Sequence, residues 1–126
     1  MKKLQNFVNG KLVDSSSGET TTLINPATGQ AFATAPNSNA ADVDKAMSAA
    51  ANAFPEWRDS TPSERQRALL KIADAIESRA DEIIAIESEN CGKPIGLTTS
   101  EEVPPMIDQI RFFAGAARNL EGKSAG

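Results

Sequence analysis

The sequence predicts an α/β protein, or α+β if the chain is taken as a free-standing piece, with a small N-terminal β-meander leading into about four helices. Two observations carry this. Before about residue 35, short runs rich in β-branched residues are broken by turn chemistry, whereas from Asn39 onward apolar residues recur at helical spacing.

The strands come first. Phe7-Val8 and Lys11-Leu12-Val13 flank Asn9-Gly10, a pair suited to a two-residue hairpin because both tolerate the positive φ of a type I′ turn. Ser15 to Gly18 reads as a polar turn and Thr20 to Ile24 as a strand. Asn25-Pro26-Ala27-Thr28-Gly29 has the make-up of a tight turn, and Gln30 to Ala35 suits a further strand. Three or four strands over residues 4–35 make the meander.

The helices follow over residues 40–121. Asn39 with Asp42 forms a cap, and Val43, Met47, Ala50 and Phe54 draw one apolar stripe that Pro55 is expected to end. Thr61-Pro62-Ser63-Glu64 then places a hydroxyl at an N-cap, proline at the first helical position and glutamate where a capping box needs it. Leu69, Ile72, Ala73, Ile76 and Ala80 give this helix its core face. A break near Arg79 to Asp81, with Asp81 as cap, starts a shorter helix through Ile83, Ile84 and Ile86 that stops at Gly92 and Pro94. The last helix starts near Glu101 to Pro105, since Pro104 and Pro105 belong in a first turn, and a start at Ser100 would leave a kink. It runs to about Leu120 with Ile107, Ile110, Phe113 or Ala114, and Ala117 on its apolar stripe.

At 126 residues the chain is about one ordinary domain, and no repeat, low-complexity run or linker divides it. No apolar stretch approaches the ~20 residues of a membrane helix. The opening MKKLQNFVNGK lacks a signal-peptide core, so the cytoplasm is the expected compartment. A net charge of −4 speaks against a nucleic-acid surface. With no histidine and one cysteine, neither a Cys/His zinc site nor a His-activated nucleophile can be built. No strand leads into a Gly-rich dinucleotide or phosphate loop. The lone Cys91 sits at the expected end of a helix, where the dipole disfavours a thiolate, and reads as a small packed residue rather than a nucleophile.

The order of FVNGKLVDSSSG, INPATGQ, the Trp57-Arg58 pair before the Pro-Ser-Glu-Arg helix start, ESENCGKP and RFFAGAARNLEG resembles the N-terminal quarter of the NAD(P)-dependent aldehyde dehydrogenase superfamily. Each motif is weak alone; together, over almost the whole chain, they are specific. Within the superfamily, NCGKP, EEVPP and RFFAGAARNL are similar to the bacterial γ-aminobutyraldehyde, or aminoaldehyde, dehydrogenases. The resemblance implies part of the cofactor-domain region of an enzyme that oxidises an amino-aldehyde such as 4-aminobutanal with NAD, or NADP. In that chemistry a cysteine thiolate attacks the carbonyl, hydride passes to the nicotinamide, and a glutamate-activated water releases the acid. The family's nucleophile, general base and cofactor loop lie downstream of the segment matching RFFAGAARNLEG. The expectation is therefore a single N-terminal segment, residues 1–126, without the catalytic domain and inactive alone, from a parent that forms dimers or tetramers. The alternative is a non-catalytic helical interaction module derived from the same family.

The resemblance also assigns two groups of residues. Backbone carbonyls at Leu23 and Ile24, with an acidic side chain where this sequence has Asn90, hold an alkali cation, K+ or Na+, in several members. The amide of Asn90 offers an oxygen without a full charge, so the site is weaker, or Asn90 only hydrogen-bonds the helix end. Glu101, Glu102 and Pro105 fall at the mouth of the substrate tunnel, where acidic side chains attract a substrate ammonium; otherwise they are first-turn carboxylates favoured by the helix dipole. Asn25 to Gly29 reads as structural, and Trp57 and Arg58 as packing and surface.

Overall fold

The computed structural model describes residues 1–119 and 121–124, and in it the chain groups into two units, Met1–Asp59 with Asn90–Gly92, and Ser60–Glu89 with Lys93–Gly126. No linker composition marks the boundary, because it falls at Asp59 and Ser60, in a capped junction between helices rather than a Gly- or Pro-rich stretch.

In the first unit Asn9 and Gly10 take φ of 50° and 75°, as a type I′ turn requires. They join β2 (Asn6–Val8) to β3 (Lys11–Val13) in an antiparallel hairpin with Phe7 opposite Leu12. A separate sheet has the order β1-β5-β4, from β1 (Lys2–Lys3), β5 (Ala31–Pro36) and β4 (Thr20–Ile24). β1 runs parallel to β5 and β4 antiparallel to it. The mixed α/β class holds, but the strands do not form one meander, since the pairing of Lys2 with Ala33 joins distant segments that no local pattern links.

Helix α1 (Ala40–Asp59) starts on reciprocal bonds, the Asp42 amide to Asn39 Oδ1 and the Asn39 amide to Asp42 Oδ2, both 3.1 Å. Asp42 also accepts from the Ser16 amide at 3.0 Å and the buried Ser15 hydroxyl at 3.2 Å, which ties the Ser15–Gly18 turn to the helix start. α1 does not stop at Pro55. Proline removes only its own N–H and crowds one carbonyl, and a final turn follows it in which Arg58 lies 6.0 Å from the Phe54 ring centre and pairs with Asp59. Its apolar stripe is exposed, with Val43, Met47 and Phe54 each more than half accessible.

The second unit begins with α2 (Pro62–Ser78). Thr61 accepts the Glu64 amide at 3.2 Å, and Glu64 accepts the Thr61 amide at 2.7 Å, completing the expected capping box. Arg79 closes α2 by donating its amide to Ile76 O, and its own carbonyl accepts Ile83 N–H in α3 (Ala80–Cys91). Asp81 therefore lies in the first turn of α3 and is not its cap. The core is Ala73, Ile84, Val103 and Ile107, with Ile76, Ala80 and Ile110 packed against it. Ile72, expected on the core face, is about half exposed, as is Ile86. Arg111 reaches from the last helix to Asp74 at 2.9 Å and Glu77 at 2.5 Å on α2.

That last helix is α5 (Val103–Ala116), preceded by a short α4 (Ile95–Leu97) and a π turn over Thr98–Glu102. Helical backbone thus begins earlier than the sequence suggests. It also ends earlier than the expected Leu120, which lies outside the described residues: Ala116 is its last residue and Ala117, expected on its apolar stripe, is its C-cap. Among the described residues, no helix is long and apolar enough to cross a membrane.

Replacing Thr61 by Ala should cost about 1 kcal/mol in urea unfolding. Glu64 is held below its ordinary pKa chiefly by the Thr61 amide and then by its hydroxyl. A carboxylate lowered in the folded state stabilises above its unfolded pKa and loses that as pH falls through the folded value. Stability should then decline from about pH 5 downward, less steeply in Glu64→Gln; equal slopes would refute the role of this charge.

Candidate cation and substrate-entrance sites

Leu23 and Ile24 end β4, which is an edge strand of its sheet, so one side of its backbone lies outside the ladder. The register slips here: Leu23 faces Ala33 but Ile24 faces Ala31, leaving Phe32 as the extra residue of a bulge. An edge position leaves alternate strand carbonyls outside the ladder, and a bulge locally disrupts it. After Ile24 the chain turns through Asn25–Gly29. Asn25 Oδ1 accepts Ala27 N–H at 2.9 Å, and Asn25 O accepts Gly29 N–H at 2.8 Å.

Asn90, the third candidate, is exposed near the end of α3. Gly92 ends the helix with φ of 73°, and a Cβ placed on it would stand 2.9 Å from Pro26 Cγ. Two demands meet at this glycine, left-handed backbone and close approach to the turn after Ile24. The turn following Leu23 and Ile24 is thereby set against the residue two beyond Asn90. Cys91 is exposed, which corrects the reading of it as a packed residue; a helix end that turns through Gly92 leaves its side chain outside the core.

The other candidates lie in the second unit. Glu101 and Glu102 stand on the π turn and Pro105 in the first turn of α5. A continuous α-helix would push the rings of Pro104 and Pro105 against the carbonyls of Ser100 and Glu101 and leave both without a donor. The widened turn removes that conflict, with Val103 N–H bonding Thr98 O, five residues back. Three hydroxyls reinforce the bend by donating to carbonyls four residues earlier: Thr98 to Pro94 at 3.1 Å, Thr99 to Ile95 at 2.8 Å and Ser100 to Gly96 at 3.1 Å.

Glu102 is half-buried and accepts from Lys93 Nζ at 2.7 Å; the same ammonium pairs with Glu87 at 3.1 Å. These two carboxylates, Glu102 first, raise the pKa of Lys93, so it stays charged across the physiological range. Glu101 and Pro105 are exposed. The sequence reading missed Lys93, whose partners are set by where the chain turns after Gly92, and it missed the π turn. The run Thr98-Thr99-Ser100 before paired prolines was the available signal.

The structure also bears on whether this chain holds a dinucleotide. A helix N-terminus with open amides is a favourable pyrophosphate site, but α1, α2 and α3 carry Asp42, Glu64, and Asp81 with Glu82 in their first turns, and α5 follows Glu101 and Glu102. Carboxylates therefore stand at or beside each of these helix starts, where a pyrophosphate would meet like charge. Among the described residues, no cluster of three or more His, Cys, Asp or Glu could hold a metal ion.

Comparison with known proteins supplies the wider frame. The sequence profile of the aldehyde dehydrogenase family matches residues 12–126. The Bacillus subtilis (strain 168) protein DhaS, which bears an aldehyde dehydrogenase name, is 41% identical over 125 residues, covering 98% of this chain and 25% of its own. An NAD-dependent aldehyde dehydrogenase from Sinorhizobium meliloti superposes with a TM-score of 0.91 at 38% identity, over 98% of this chain and 25% of that one. PnpE, solved in complex with nicotinamide adenine dinucleotide, gives 0.91 and 38% over 95% and 25%. The chain belongs to the aldehyde dehydrogenase family. It spans about a quarter of the length of these relatives.

Gly92→Ala should destabilise the chain by about 1–2 kcal/mol, from left-handed backbone and contact with Pro26 together. Urea unfolding of the single variant and of Gly92→Ala with Pro26→Ala measures both parts. A single variant as stable as the parent chain would contradict the close approach.

Proposed function

We propose that these residues form the N-terminal part of an NAD-dependent enzyme that oxidises an amino-aldehyde, of the size of 4-aminobutanal, to its acid. NADP is an alternative carrier. The dinucleotide, held by residues outside this chain, takes up the hydride. What this chain contributes is the approach of the substrate: Glu101 and Glu102, on the π turn at the start of α5, attract the ammonium end, and Pro105 shapes the wall beside them. The observation that carries this reading is the pair of carboxylates fixed on a bent, proline-locked turn in a family whose substrates are aldehydes.

Leu23 and Ile24 carbonyls, with the Asn90 side-chain oxygen, form a weak alkali-cation site in the first unit, supported by the bulge and by the contact of Gly92 with Pro26. It binds K+ or Na+ with a structural role. The parent is cytoplasmic and a dimer or tetramer, and residues 1–126 act within it as one N-terminal segment.

In a full-length enzyme carrying this segment, Glu101→Gln with Glu102→Gln should raise the KM for an amino-aldehyde about tenfold and leave that for a neutral aldehyde of equal length unchanged. Equal effects on both substrates would remove the reading. The pure 126-residue chain should give no reduced nicotinamide with any aldehyde; measurable turnover would sink the assignment of catalysis to residues outside it.

A further inference from the structure

We propose that Lys93 is a specificity-determining residue of the substrate entrance, one that weakens the attraction of Glu102 for a cationic substrate; this rests on the reading of Glu101 and Glu102 given above. Lys93 Nζ lies 2.7 Å from Glu102 Oε2 and 3.1 Å from Glu87 Oε1, so one ammonium faces two carboxylates. The lysine side chain is only 32% accessible, which places the pair where solvent screens it less than at an open surface.

The trio keeps a single net negative charge. Glu102 therefore meets an incoming ammonium as a partly neutralised group with one oxygen already engaged, and exposed Glu101 supplies most of the pull. Lys93 is held at this spot by chain geometry: Gly92 turns the backbone out of α3 and Pro94 starts the next helical segment. Binding too weak loses an amino-aldehyde to competition from neutral aldehydes, and binding too strong slows the departure of an amino-acid product that carries the same ammonium. A lysine between two glutamates sets an intermediate strength.

The test uses the full-length enzyme with an amino-aldehyde and a neutral aldehyde of equal length. Lys93→Met should lower the KM for the amino-aldehyde about fivefold, leave the neutral aldehyde unchanged, and steepen the dependence of KM on salt. Lys93→Arg should behave like the parent, and Lys93→Met with Glu102→Gln should return KM toward the parent value. Lys93→Gln takes the place of Lys93→Met if the latter does not fold. A change in kcat alone, or equal shifts in KM for both substrates, overturns the role of Lys93 while the substrate reading stands. If Glu101→Gln with Glu102→Gln fails to separate the two substrates, the substrate reading falls and this one with it.

Discussion

Two adjacent prolines, Pro104 and Pro105, impose the constraint on which the second unit depends. Neither donates a backbone hydrogen bond and each ring crowds a carbonyl one turn earlier, so helix cannot run unbroken from Ile95 into α5. The chain accommodates them with a π turn, and Thr98, Thr99 and Ser100 take up carbonyls behind it through their hydroxyls. The extra residue sets the rotation of everything that follows. With it, Val103 and Ile107 enter the core beside Ala73 and Ile84, and Arg111 reaches Asp74 and Glu77. It also puts Glu102 within reach of Lys93, which links local backbone chemistry to the electrostatics of the proposed entrance.

The first unit rests on a different device. A polar network centred on Asp42 joins the start of α1 to the Ser15–Gly18 turn and takes the place of a large apolar core; Ala33 is its one buried hydrophobic side chain among the described residues. Asp42 is held below its ordinary pKa, most of all by the Asn39 amide, so it keeps its charge and its bonds at neutral pH. At the far end of β4, a bulge stands opposite Leu23 and Ile24, and Gly92 approaches Pro26 in the turn that follows.

What could be read from sequence was what neighbouring residues decide. Asn9-Gly10, the Thr61 capping box and the stop at Gly92 each depend on a few adjacent side chains, and each stands where expected. Pro55 misled because its rule describes a local penalty, and a helix with a further turn to offer can absorb it. The pairing of β1 with β5 was illegible, since two lysines carry no strand signal and their partner lies far along the chain. The apolar stripe of α1 was legible as a stripe but its exposure was not, because periodicity reports a face and not what covers it. Among the candidate site residues, Glu102 was picked out but its tie to Lys93 was not, as that distance depends on a turn width the helical repeat does not reveal.

The proline pair, through the π turn, sets the position of Glu102. The most direct measurement is a crystal or solution structure of the 126-residue chain with Pro104→Ala and Pro105→Ala. The expected result is a regular helix in which Val103 N–H bonds Thr99 O, Glu102 rotates by about 100° around the axis, and its contact with Lys93 opens. A double variant that keeps the Val103 bond to Thr98 and the Lys93–Glu102 pair would contradict the claim, and would assign the turn to the three hydroxyls and the packing beneath them.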